Sequence, residues 1–155
     1  MKEITEWLDE YSLSHQNSTN EVIHWICVPL IYFSIIGALS ALPVPAFLQD
    51  ISIYLNFGVL GLAVSALYYV LLSRSLSIGM ILFLAIIAYT VNWMTNAGLP
   101  VWQLSLAVFV LAWIGQFIGH MIEGKKPSFF KDIQFLMIGP IWLMSFIYKK
   151  LGIAY

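Results

Sequence analysis

The sequence predicts an all-α, integral membrane helical bundle: four transmembrane helices, an N-terminal amphipathic helix and a broken or partly inserted C-terminal helix. Two observations carry this. The chain is 61% hydrophobic with a mean hydropathy of +0.87, and 10% of its 155 residues are charged, against about 25% in a soluble domain. Its apolar runs also approach the roughly 20 residues that cross a bilayer core. With no internal repeat or low-complexity tract, residues 1–155 are expected to form a single membrane-embedded domain.

In chain order, MKEITEWLDEYS places Ile4, Trp7, Leu8 and Tyr11 at helical spacing, with Glu3, Glu6, Asp9 and Glu10 on the other side. That pattern predicts an amphipathic helix on a membrane surface or against a partner helix. Its acidity is wrong for an export leader. Four apolar stretches follow, at about 22–42, 51–72, 78–94 and 101–122, divided by PVP, SRSLS and TNAGLP. Gly and Pro in those connections mark turns. A fifth stretch, about 133–148, carries Gly139-Pro140 near its middle, and a proline there is expected to break or kink the helix.

Basic residues orient the bundle. Arg74 follows the second stretch, and Lys125, Lys126 and Lys131 follow the fourth, whereas PVPAFLQD and NAGLP contain no Lys or Arg. With four antiparallel spans, the basic loops share a side with the N-terminus, which predicts that this side is cytosolic. Either a bacterial inner membrane or the endoplasmic reticulum would fit. The formal net charge of -1 gives no reason to expect a nucleic-acid partner. The single cysteine, Cys27, excludes an internal disulfide and reads as a small packing residue.

The polar groups gather on that same face. His15 ends the first helix, His24 opens the first span and His120 closes the fourth. On one continuous helix His15 and His24 would lie about 13.5 Å apart along the axis and on opposite sides. Ser18 and Glu21 have the form of a capping box, which starts a new helix and turns the chain between the two histidines. His15 is also placed on the inward face of the first helix, eleven residues after Ile4. Gln116, His120 and Glu123 share one side of a helix end, as in the carboxylate–histidine metal sites of bundles. Three imidazoles with one carboxylate suit iron, zinc, copper or nickel better than magnesium or calcium. Taken singly, each histidine is also compatible with an interfacial anchor, and Glu123 with a solvated charge.

YSLSHQNSTNEVIHWICVPLIYFS and WIGQFIGHMIEGKKPSF resemble the two signatures of the membrane 2-hydroxy fatty acid dioxygenases of phytosphingosine breakdown. Tyr11, His15, Asn20, His24 and Pro29 match the first. Trp113, Gln116, Phe117, Gly119, His120, Glu123 and Pro127 match the second. Gln16 stands where some relatives have another histidine, and Gly124 with two lysines stands where an arginine is expected. The resemblance implies an Fe(II)-dependent enzyme that shortens a 2-hydroxy fatty acid by one carbon with O2, α-oxidation beside membrane lipid. It implies His15, His24 and His120 as iron ligands, Glu123 as a fourth ligand or base, and Asn20, Gln116 and Tyr11 as supporting groups. The non-enzymatic alternative is a small membrane scaffold or lipid-binding protein. A diiron desaturase needs more clustered histidine pairs than three histidines supply. A transporter lacks support in a chain with no mid-span charge and no inverted repeat.

Overall fold

Asn17 begins the first long helix. Its side-chain Oδ1 accepts from the backbone N–H of Thr19 (2.9 Å) and Asn20 (3.4 Å), satisfying donors that a helix start leaves open. The cap is therefore Asn17 rather than the Ser18 of the expected capping box, although Glu21 does lie in the first turn. The computed structural model describes residues 3–52, 54–124 and 135–155. Lys125, Lys126, Pro127 and Lys131 lie outside the described residues, as does the expected start of the fifth stretch.

Seven helices are described: α1 (Ile4–Ser12), α2 (Ser18–Ser40), α3 (Ala46–Ile51), α4 (Phe57–Leu72), α5 (Arg74–Asn96), α6 (Val101–Glu123) and α7 (Ile138–Leu151). No strand occurs among the described residues. Among the described residues three helices, α2, α5 and α6, are long and apolar enough to cross a membrane.

Two expected elements differ. The second apolar stretch is divided. Asn56 Oδ1 accepts from Val59 N–H at 3.0 Å, so a fresh helix starts there and α4 has 16 residues, about 24 Å. The fifth stretch is interrupted as expected, by a turn at 136–137, but the break lies before Pro140, which is the third residue of α7. The N–H that proline lacks is one that a first helical turn leaves unbonded anyway. The helix ends at Gly152, in the left-handed conformation, with Lys149 and Lys150 in the last turn, where positive charge opposes the helix dipole favourably.

α2 touches α4, α5, α6 and α7. Against the antiparallel α6 it lies unusually close. A Cβ added to Gly115 would stand 2.6 Å from Cys27 Sγ, and one on Gly119 would overlap Asn20 Oδ1. Small residues at such a contact let helices in lipid approach and gain dispersion contacts. Tyr69 Oη donates to Met137 O (3.0 Å) and Tyr148 Oη to Ser75 O (2.9 Å). Both ends of α7 are thereby fastened to residues near the α4–α5 turn. Ser75 Oγ donates to Ala154 O at 2.8 Å, holding the tail that follows α7 to the same place.

Candidate metal centre

α1 ends at Ser12 and α2 begins at Ser18, so His15 stands in the turn between them and not on the helix face expected for it. Its backbone N–H donates to Ser12 O (3.0 Å), and its ring lies flat on Tyr11, with centroids 4.2 Å apart and planes within 7°. His24 is in the second turn of α2. His120 is in the last turn of α6, brought to the same end by the antiparallel packing. All three are buried, at 7%, 1% and 8% exposure.

The hydrogen bonds fix the tautomers. His15 Nδ1 meets Tyr11 O at 2.7 Å, and His24 Nδ1 meets Asn20 O at 2.9 Å. A carbonyl only accepts, so both Nδ1 atoms carry a proton, and a ring that is neutral in this tautomer turns its Nε2 lone pair toward the other ring. Those two Nε2 atoms face each other at 2.9 Å. Two lone pairs at that separation repel unless a cation is shared between them. The His120 ring closes the group, 5.4 Å from His15 and 5.1 Å from His24 between centroids. One nitrogen from each ring lies within 4.8 Å of the others. A metal with metal–nitrogen bonds of about 2.1 Å at right angles needs nitrogens about 3 Å apart, and the His15–His24 separation meets that. Nδ1–H held by a backbone carbonyl is also how metal-binding histidines are oriented. The residues fit a transition-metal ion.

Glu123 has other partners. Its Oε1 accepts from Gln16 N–H (2.8 Å), and its Oε2 from Asn17 N–H (2.9 Å) and Asn20 Nδ2 (3.1 Å). The carboxylate splints the α1–α2 turn to the end of α6. Asn20, fully buried, works on both sides: its carbonyl orients His24, and its Nδ2 reaches Glu123 and Ser14 O (3.4 Å). Gln116 is buried one turn before His120. Tyr11 supplies the His15 carbonyl acceptor and the stacked ring.

Neither Trp142 nor Ser12 is marked by residue spacing. Trp142 lies 5.3 Å from the His15 ring and 5.1 Å from Tyr11. Its Nε1 donates to Ser12 Oγ (2.8 Å), which donates to Leu8 O (2.8 Å). α7 thus walls the side of His15 that α2 and α6 leave open, and such a contact between residues 130 positions apart follows from no local pattern.

Comparison with known proteins agrees in kind. Residues 1–151 match the family model described as Mpo1-like, 2-hydroxy-palmitic acid dioxygenase Mpo1-like. The 2-hydroxy-palmitic acid dioxygenase MPO1 of Saccharomyces cerevisiae is 31% identical over 147 residues, covering 92% of this chain and 78% of the yeast protein. No solved structure matches the chain. With the family model spanning nearly its whole length, the chain belongs to the Mpo1-like family of 2-hydroxy-palmitic acid dioxygenases.

Proposed function

We propose that this protein is an Fe(II)-dependent dioxygenase that shortens 2-hydroxy fatty acids by one carbon, using O2, within a single membrane domain of residues 1–155. His15, His24 and His120 are the protein ligands. The observation that carries the reading is the pair of Nε2 lone pairs turned on each other at 2.9 Å, with both Nδ1 protons committed elsewhere.

When bound, ferrous iron supplies open positions for a chelating hydroxyl and carboxylate and one-electron reactivity toward O2. The chain does the rest. Tyr11 O and Asn20 O hold the imidazoles with Nδ1–H outward and the two Nε2 atoms facing each other. Glu123, its oxygens occupied by three donors, acts by holding the His15 turn against α6 and not as a ligand. Gln116, one turn inside His120, is a polar group on the substrate side. Tyr11 and Trp142 shut water away from His15, which strengthens electrostatic interactions inside the site.

α2, α4, α5 and α6 are assigned as the four spans, α4 being the shortest. The metal site and N-terminus lie on the cytosolic face, following the placement of the basic residues.

The test is anaerobic reconstitution of purified protein with Fe(II), metal analysis, and incubation with 2-hydroxypalmitate in air. The expected result is about one iron per chain, one ion being all that three imidazoles can enclose, together with pentadecanoic acid. Protein that holds no metal and forms no shortened acid would instead be a membrane scaffold or lipid-binding protein.

A further inference from the structure

Between α1 and α7 lies a cleft of about 250 Å³. It sits beside the metal centre and shares Trp142 with it. Two facing stripes make its walls. Thr5, Leu8, Asp9 and Ser12 come from α1, and Trp142, Ser145, Phe146 and Lys149 from α7. In each set the second, third and fourth residues follow the first by three, four and seven, the spacing that keeps side chains on one side of a helix. The inner lining is apolar: Leu8 and Trp142 are buried and Phe146 is half-buried. Two hydroxyls interrupt it, and both have committed their protons. Ser12 Oγ donates to Leu8 O (2.8 Å) and Ser145 Oγ to Trp142 O (2.7 Å). What they can still offer a ligand is an oxygen lone pair.

The rim carries one charge of each sign. Asp9 on α1 and Lys149 on α7 are both exposed, and among the described residues neither has an ion-pair partner. Lys149 instead lies over the Phe146 ring, 6.0 Å from its centroid. A purely anionic ligand would face Asp9 and a purely cationic one Lys149, whereas a zwitterion is matched at both ends. The carboxylate and the two serine oxygens all ask for N–H donors, which a primary ammonium has and a quaternary one lacks. We propose that the α1–α7 cleft binds a zwitterionic aminophosphate with a primary amine, presented by the membrane as the head group of an ethanolamine phospholipid. The ammonium meets Asp9 and the serine oxygens, and the phosphate meets Lys149. Trp142 and Tyr155, which also lines the cleft, are of the residue types that sit at head-group level. The volume falls short of the roughly 300–1,000 Å³ of sites that engulf a drug-sized ligand. It suits a head group whose acyl tails stay in the bilayer.

Native mass spectrometry of delipidated full-length protein in detergent reads this binding with no iron and no turnover. Dioleoyl phosphatidylethanolamine is expected to bind several-fold more tightly than the phosphatidylcholine of the same chains, which has no N–H, or the phosphatidylglycerol, which has no cation. Asp9→Asn should remove most of that preference, and Lys149→Gln should weaken the ethanolamine lipid several-fold. Asp9→Lys leaves two positive charges on the rim and should turn the preference toward phosphatidylglycerol. Lys150→Gln, next along α7 but outside the cleft lining, should leave selectivity as it is. All of these positions are exposed, so the variants keep the fold. Equal binding of the three lipids by the wild type, or tighter binding of phosphatidylglycerol, overturns the proposal. So does an ethanolamine preference that survives in both Asp9→Asn and Asp9→Lys. Glycerophosphoethanolamine, the same head group without tails, separates the two sources of this chemistry. It is expected to bind far more weakly than the lipid, and binding as tight as the lipid's would overturn the membrane source in favour of a soluble aminophosphate.

Discussion

A buried imidazole whose Nδ1–H is given to a backbone carbonyl is held in one orientation, and His15 and His24 are both held so, with their Nε2 atoms turned toward each other. Replacing His120 with Ala leaves this pair intact but opens the third side. Iron affinity should then fall by more than the roughly 10–100-fold that loss of a supporting hydrogen bond costs. Product should disappear while detergent-solubilised protein keeps its helical circular dichroism; retained turnover would remove His120 from the ligand set. Glu123 separates two roles cleanly. As a splint it contributes charge-assisted hydrogen bonds to two backbone N–H groups and one amide, each worth about 1.5–3 kcal/mol. Glu123→Gln turns one acceptor into a donor facing donors, so stability and iron affinity should both drop, yet saturating Fe(II) should restore most of kcat. Failure of excess iron to restore it would make Glu123 a ligand or base after all. The three histidines were legible in the sequence because few side-chain types bind transition metals and the expected topology put all three at one end of the bundle. The carbonyls of Tyr11 and Asn20, which set the tautomers, were not. A backbone acceptor has no letter of its own, and it is aimed only once the turn at 13–17 has formed.

Among the helices, the α2–α6 contact decides how near His24 and His120 can come. Asn20 Oδ1 rests against Gly119, and it cannot swing aside because the same amide is tied to Glu123 and Ser14. Gly119→Ala should therefore force the helices apart. Overpacking costs about 1–3 kcal/mol, and a drop in Tm should accompany weakened iron binding, measured by competition with a chelator of known affinity. A Gly119→Ala protein with wild-type iron affinity would show that the contact does not govern the site. Element identity was readable where the apolar run was long and uninterrupted, as in α2, α5 and α6. It failed where one polar residue outweighed the run. Asn56 supplies a cap that starts α4 afresh, and hydropathy alone weighs a cap as a slightly polar position. Pro140 was misplaced for the opposite reason. A proline's effect depends on its distance from the helix start, and that start, Ile138, has no side-chain cap to mark it in the sequence.

Across the whole molecule, several long-range hydrogen bonds collect at one end. Glu123 joins the end of α6 to the α1–α2 turn, Tyr148 and Ser75 join α7 and the C-terminal tail to the start of α5, and Trp142 joins α7 to α1. The described residues nearest the basic loops, Arg74 and Glu123, belong to that end, and Lys149 and Lys150 follow it on α7. The connections on either side of α3 and between α5 and α6 lie away from it and carry no Lys or Arg. If charge asymmetry sets orientation, the polar end with the histidines faces the cytosol, where a fatty acid carboxylate would be met by positive charge. A Cys27→Ala background makes this measurable, because single cysteines can then be placed at exposed positions. Gln49→Cys and Ala97→Cys should react with a membrane-impermeant maleimide on intact cells or sealed right-side-out vesicles. Glu6→Cys and Lys150→Cys should react only after permeabilisation. The reverse pattern would put the histidines on the outer or lumenal face. Reaction of Glu6→Cys and Lys150→Cys from opposite sides would mean that α7 crosses the bilayer, in conflict with the bonds that fasten both its ends near the α4–α5 turn.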